Sequence, residues 1–305
     1  MVHHETSLPL KGGGVAVFLF GDLQLGSQGF DDEAWEQFKQ EFKSTPNAIG
    51  LGLGDYGDWL RPSMRSRVQG SISGDDSARS MMDDLVRSDQ DKKGGVLDKM
   101  DFLKGRLIGL HSGHHEWEWG TGGNSTQRLC SALKAPYLGW MASTRLKLAY
   151  GALAKRTSKF TRTFAYTMVT MHGTGNGRFV GSDTNWMERN IVSAWDADFY
   201  ARGHGCKAAA WHPFERNYVR TSGPCGVDKS TPDCMLIGGF NRSFTDGWQS
   251  SYAERAGFAP QPVSWGVLRI RRTQDIASAN IKGLSGKKTR TLRVETLIRR
   301  PDRDV

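Results

Sequence analysis

The sequence predicts an α/β protein built from two mixed β-sheets packed together with helices outside. Three observations carry this. Short apolar runs bounded by glycine recur along the chain, VAVFLFG (residues 15–21), AIGLGLG (48–54) and GRLIGLHSG (105–113), and such runs read as buried strands. The segments TRLKLAY (144–150) and TRTFAYTMVT (161–170) alternate apolar and polar residues, as antiparallel strands do. Stretches at helical spacing lie between the strands, so the mixture points to two sheets with outer helices and not to one parallel sheet.

Taken in order, the first strand is followed by DDEAWEQFKQEFK, which sets Trp35, Phe38 and Phe42 on one helical face, with Asp31 and Asp32 suited to its start. A second strand runs from about Ala48 to Leu53. Residues 61–104 then interrupt the alternation as an insertion that could overhang a site; within it, VLDKMDFLKG places Val96, Leu97, Met100 and Leu103 on one face of a helix. The third strand lies near Arg106 to His111, and DTNWMERNIVSAW reads as a helix capped by Asp183. Another strand precedes His204, and MLIGGF, WGVLRIR and RTLRVETL are short strands of the last third. Residues 1–271 are expected to form one domain, with 272–305 a basic extension packed on it.

A chain of 305 residues, 38% hydrophobic and 24% charged, is globular and can bury a sizeable core. No run approaches the roughly 18 apolar residues of a membrane span, and MVHHETSLPLKGGG lacks the apolar stretch of a secretory signal, so a cytoplasmic setting is expected. The net charge of +9 is concentrated after Val267 (LRIRRTQ, KGLSGKKTRTLR, LIRRPDR). Such a tail favours polyanions such as nucleic acid, or is a solvated edge hairpin; it has no interleaved aromatics. The four cysteines (130, 206, 225, 234) include no CxxC pair, which argues against a structural zinc ribbon. Cys225 and Cys234 bracket a loop and could bridge in an oxidising compartment; in cytoplasm they are expected to stay reduced.

Metal-type chemistry falls at the ends of the apolar runs: Asp22 and Gln24 after the first, Asp55 and Asp58 after the second, His114, His115 and Glu116 after the third, His172 after TFAYTMVTM, and His204 and Cys206 after DADFYARG. In α/β sheets ligand sites lie beyond the carboxyl ends of the strands, so these carboxylates, imidazoles and thiol would meet at one edge. His111, inside a strand, reads as a satisfied core histidine; His212 reads as structural, and His3 and His4 lie at a loose terminus. Asn176 and Arg178, in the glycine-rich GTGNGR, are candidates to contact phosphate, since a guanidinium fork suits its oxygens; alternatively that loop only connects a strand to a helix. Trp117 and Trp119 could stack on an aromatic substrate, with at least one packing under the loop.

In chain order the blocks GDLQ, GDYGD, GHHE, HG and GHGC resemble the calcineurin-like metallophosphoesterase superfamily, whose signature runs D-x-H, G-D-x-x-D, G-N-H-D/E, H and G-H-x-H. The resemblance spans about Val15 to Cys206; HGTGNGRFVGSDTNWMERNIVSAWDADFYARGHG and IGGFNRSFTDGWQSSYAERAGFAPQP look like the form found in phage and prophage members, for which the setting would be the host cytoplasm. It implies a four-layer αββα sandwich of two mixed β-sheets and two divalent transition-metal ions (zinc, manganese or iron). By position the first ion would take Asp22, Gln24, Asp55 and Cys206, and the second Asp55, His114, His172 and His204, with Asp55 bridging. His115 would face the substrate and act as general acid to the leaving oxygen or stabilise the charged transition state, and Glu116 and Asp58 would orient it or the ligands. Three positions depart from the signature: Gln24 and Cys206 stand for histidines and His114 for an asparagine. The carbonyl of Gln24 is a weaker donor than imidazole, while a Cys206 thiolate favours zinc, so either both ions bind with altered preference or only one is tightly held. The implied activity is phosphoester hydrolysis by metal-activated water, on a phosphodiester in a nucleotide or nucleic acid. The alternatives are a phosphomonoesterase on protein or nucleotide, and a non-catalytic nucleic-acid-binding protein on a degenerate fold.

Overall fold

The computed structural model describes residues 1–10, 14–27, 29–58, 95–118, 122–150, 162–174, 177, 179–205, 207–219, 227–244, 254, 259–272 and 292–302. Cys206, Asn176, Arg178, Trp119, Cys225 and most of the insertion expected at 61–104 lie outside these residues. Fourteen strands are described: β1 (Val2–Pro9), β2 (Val15–Phe20), β3 (Ala48–Gly52), β4 (Leu107–His111), β5 (Tyr137–Gly139), β6 (Met141–Tyr150), β7 (Arg162–Met171), β8 (Phe199–Arg202), β9 (Ala209–Trp211), β10 (Arg216–Val219), β11 (Val227–Ser230), β12 (Asp233–Leu236), β13 (Trp265–Arg272) and β14 (Leu292–Arg299). The helices are α1 (Asp32–Ser44), α2 (Val96–Met100), α3 (Ser125–Leu133) and α4 (Val180–Met187).

One six-stranded sheet runs β14-β13-β2-β3-β4-β5, and a second β1-β6-β7-β8-β12-β9; β10 and β11 form a separate hairpin. Both sheets are mixed. β2, β3, β4 and β5 are parallel and β13 joins β2 antiparallel; β7, β8 and β12 are parallel, while β6 pairs antiparallel with β7 and parallel with β1, and β9 pairs antiparallel with β12. The period-2 alternation of β2 explains the layering. Val15, Val17 and Leu19 enter a core shared with Leu146, Met168, Phe199 and Met235 of the other sheet. Ala16, Phe18 and Phe20 face Trp35, Phe38 and Phe42 of α1 and Leu129 and Leu133 of α3. A third cluster sets Val169, Tyr200, Cys234 and Leu236 against Met187, Ile191 and Val192. The layers are therefore helix, sheet, sheet, helix: the αββα sandwich.

Local signals account for the helix ends. Asp31 caps α1 by accepting from the Ala34 N–H at 3.1 Å, and Asn124 and Gln127 form a capping box at α3. Val96 and Met100 of α2 are buried, and Leu103 is buried in the 3-10 turn (Asp101–Leu103) that follows it. Three details differ from the sequence expectation. The Asp183 helix begins earlier, at Val180 after Phe179, and Asp183 is buried in its first turn instead of capping it; from Glu188 to Val192 it continues as a π-helix. The N-terminus is not loose: β1 pairs in parallel with β6 over Val2–Pro9. Within the basic extension, β14 pairs antiparallel with β13, and Arg299 bonds Glu41 of α1 at 3.0 Å. No helix among the described residues is long and apolar enough to cross a membrane.

Candidate metal centre

Five strands, β2, β3 and β4 parallel in one sheet and β7 and β8 parallel in the other, each deliver a residue singled out by the sequence: Asp22 after β2, Asp55 after β3, His114 after β4, His172 after β7 and His204 after β8. The chain turns sharply at these points. Asp22 (φ 47°), Gln24 (46°), Asp55 (55°) and His204 (61°) are four of the seven described non-glycine residues with positive φ. Each such residue costs about 1–3 kcal/mol and persists only where its surroundings hold it. Here the backbone does so: the Asp22 N–H donates to the Gly54 carbonyl at 3.0 Å, the Gln24 N–H to Asp55 at 2.9 Å and the Leu53 N–H to Phe20 at 2.7 Å. Gly113 permits the closest approach, since a Cβ there would lie 2.1 Å from Asp55 Oδ1.

The result is a focus of donors. One ligand atom from each of Asp55, His114, His172 and His204 lies within 4.8 Å of all the others. His172 is fully buried, and its Nδ1 sits 2.6 Å from the Leu53 carbonyl, which fixes Nδ1–H as donor and turns the Nε2 lone pair inward. That Nε2 lies 3.3 Å from Asp55 Oδ2 but makes no aligned hydrogen bond with it. Two buried groups aimed at a common point instead of at each other suit a shared cation. Three imidazoles and a carboxylate are the donor set of zinc, manganese or iron, so these residues fit a divalent transition metal.

Electrostatics point the same way. Burial opposes charge on every group here. It raises Asp22 to about 7, with Asp55 adding to the rise and His172 opposing it. Burial would raise Asp55 too, but the neighbouring His172 and His115 outweigh it and hold this carboxyl below the usual range. Burial would lower His172, yet Asp55 and Asp22 lift it to about 9. His204 falls to about 3 through burial, with His172 and His114 adding to the fall. The cluster thus concentrates positive charge on one imidazole beside Asp55, and a bound cation would displace that proton.

The remaining predicted residues divide. Asp22 is buried beside the focus, and its Oδ2 accepts the His204 N–H at 2.9 Å. Gln24 is half-buried, and its Oε1 accepts from the Asn241 amide at 3.0 Å. Asn241 also donates to the Asp22 carbonyl at 3.3 Å and accepts from the Ser27 hydroxyl at 2.7 Å. His115 sits over the carboxylates: its N–H donates to Asp55 Oδ1 at 2.8 Å, and its Nδ1 is 3.0 Å from Asp58 Oδ1. Glu116 is buried against Ser112 and Thr126 and is raised to about 7 by that burial. It lines a small cavity with Asp55, Tyr56, His115, Ser125, Thr126 and Leu129. His111 is a core residue, bonded to the Gly139 carbonyl at 2.9 Å and Thr170 at 2.8 Å. Trp117 packs in the core, His212 is exposed 3.3 Å from Asp233, and Cys234 is a buried free thiol.

Sequence reasoning missed two features. Arg202, Asp183 and Lys207 form a buried ionic trio: Lys207 Nζ donates to Asp183 at 2.8 Å and Arg202 to Asp183 at 3.5 Å. Arg202 also donates to the Thr174 carbonyl at 2.9 Å and Lys207 to Gly177 at 2.5 Å. The trio therefore ties the loop after His172 to the loop after His204. The second feature is Trp140, whose indole centroid lies 5.0 Å from the His114 ring and 6.0 Å from the His172 ring. Charged residues at a strand end, in a helix and in a loop read separately as solvated or capping, and a tryptophan before a strand reads as core, so neither gave a signal.

No family model matches the sequence, and no curated protein matches it. Several solved structures are similar. Vacuolar protein sorting 29 from Cryptosporidium parvum shares 11% identity over 94% of this chain and 100% of its own, with a TM-score of 0.35. The calcineurin-like phosphoesterase YfkN from Bacillus subtilis shares 10% over 94% and 91%, with a TM-score of 0.37. A metallophosphoesterase from Sphaerobacter thermophilus shares 10% over 83% of each chain, with a TM-score of 0.28. At such low identity and TM-score, what the site does is read from its own side chains.

Proposed function

We propose that this chain is a metal-dependent phosphoester hydrolase of the calcineurin-like superfamily, of the type found in phage and prophage. The carrying observation is the convergence of Asp55, His114, His172 and His204 donors within 4.8 Å, beside His115 held by Asp58. In this reading Asp55, His114, His172 and His204 would hold one ion, and Asp22, Gln24, Asp55 and Cys206 would be the residues to hold a second. When bound, divalent ions supply Lewis acidity that polarises phosphoryl oxygens and acidifies water.

The protein groups do the rest. Asp58 holds Nδ1 of His115, which orients the ring so that Nε2 gives a proton to the leaving oxygen. The backbone bond from His115 to Asp55 fixes that ring relative to the ligand carboxylate. Glu116, wedged between Ser112 and Thr126, keeps the loop in place. Asn176 and Arg178 bind phosphate oxygens. The net charge of +9 supports an anionic diester, in a nucleotide or nucleic acid, as substrate. Residues 1–271 act as one domain extended by 272–305, working in the cytoplasm.

The test is to load the purified protein with zinc, manganese or iron, determine metal content, and compare hydrolysis of bis-p-nitrophenyl phosphate with p-nitrophenyl phosphate. Bound metal with faster diester turnover is expected. Preference for the monoester would make it a phosphomonoesterase. Salt-sensitive DNA or RNA binding with no hydrolysis, persisting without metal or His115, would replace the enzyme by a binding protein.

A further inference from the structure

Trp140 and Trp195 are both exposed tryptophans, but Trp140 lies against the histidine cluster. Trp35, Trp117 and Trp265 are buried in the core, whereas Trp140 is 44% exposed although it packs against half-buried His114 and buried His172 of the cluster. It follows Gly139, which has φ 61°, in the tight connection between β5 and β6. Its backbone is anchored by the same loops that carry the donors. The Trp140 carbonyl accepts the His172 N–H at 3.2 Å, and the Gly139 carbonyl accepts the Ser112 N–H at 2.9 Å. The backbone that carries the indole is thus fixed relative to the His114 and His172 loops. The indole meets the His114 ring at 69° and the His172 ring at 58°, tilted against both, so these contacts use only part of its surface.

We infer that Trp140 is a specificity-determining residue that stacks on the aromatic part of the ester, a nucleobase or an aryl ring, while the phosphate occupies the cluster. This rests on the phosphoesterase reading of the site. A planar indole beside the metal-ligand cluster offers stacking energy without demanding a particular base. Sugar-only and alkyl esters gain nothing from it.

The experiment measures binding to the metal-loaded protein by calorimetry. The probes are methylphosphonate, phenylphosphonate and the phosphonate analogue of adenosine 5′-monophosphate, whose carbon–phosphorus bonds are not hydrolysed. Trp140→Ala is expected to weaken one or both aromatic probes about tenfold, while methylphosphonate affinity and metal content stay unchanged. Trp140→Phe retains most of the affinity. Loss confined to the adenosine probe identifies a nucleobase, and loss with phenylphosphonate identifies a ring next to the phosphate. Equal weakening of all three probes, no weakening, or loss of metal in Trp140→Ala overturns the inference while wild-type hydrolysis stands. Failure of wild type to bind any phosphonate or hydrolyse any ester overturns the phosphoesterase reading, and this inference with it.

Discussion

Replacing Gly113 by alanine puts the proposed site under a known steric load. The added Cβ would lie 2.1 Å from Asp55 Oδ1 and 2.3 Å from the Asp55 backbone nitrogen, about 1.3 Å short of the 3.4 Å at which ordinary contact begins. Gly113 is not among the positive-φ residues, so the burden is contact and not torsion. Neither obstacle can swing aside. Asp55 is backbone-bonded through its carbonyl to Gln24, and its carboxylate accepts from His115. The loop carrying His114 and His115 must therefore move away from Asp55 by about 1 Å, a displacement that costs on the order of a hundredfold in rate. The overpacking itself costs about 1–3 kcal/mol. Metal content after zinc loading, diester turnover and urea denaturation report the three consequences. Gly181→Ala is the control: it lies in α4 with nothing within 4 Å of its added Cβ, and it should stabilise by up to about 1 kcal/mol. A Gly113→Ala protein with wild-type metal content and turnover would refute the close approach of the His114–His115 loop to Asp55.

His115→Ala should keep its metal and lose about 10²–10⁴ in turnover, with Asp58→Asn falling less; metal analysis beside steady-state kinetics separates the two effects, and unchanged turnover would remove His115 from the chemistry. Asp183→Ala leaves buried Arg202 and Lys207 uncompensated and should destabilise by about 3–5 kcal/mol in urea denaturation. His111, lowered to about 4 by burial, favours the neutral form in the fold. Its contribution is complete above the unfolded value of 6.5 and is lost as pH falls toward 4, about 2 kcal/mol between pH 7 and pH 5. His111→Gln should remove that part of the slope when urea midpoints are compared at the two pH values. Chelation should lower the melting temperature, and zinc at a hundred times its dissociation constant should restore about 2.7 kcal/mol.

The arrangement of donors was legible because it follows from strand direction. Asp22, Asp55, His114, His172 and His204 each sit a few residues past an apolar run, and parallel strands bring those ends to one edge. What the sequence could not show depends on partners far away along the chain. Asp183 reads as a helix cap, but Arg202 and Lys207 draw it inward; the N-cap position falls instead to Phe179, whose side chain makes no cap bond. Gln24 reads as a replaced ligand, yet Asn241, 217 residues on, holds its side-chain oxygen. The N-terminal VHHETSLP carries little apolar patterning, and it becomes a strand only because the edge of β6 accepts it. Trp140 has no motif of its own; its exposure depends on the tight turn at Gly139.

The most direct test of the proposed centre is anomalous scattering from crystals of the zinc-loaded protein at the zinc edge. A peak about 2.0–2.2 Å from donor atoms of Asp55, His114, His172 and His204 is expected, and a second peak sharing Asp55 on the Asp22 side would establish the paired site. Zinc-loaded crystals with no peak between Asp55 and His172 would contradict the metal centre itself.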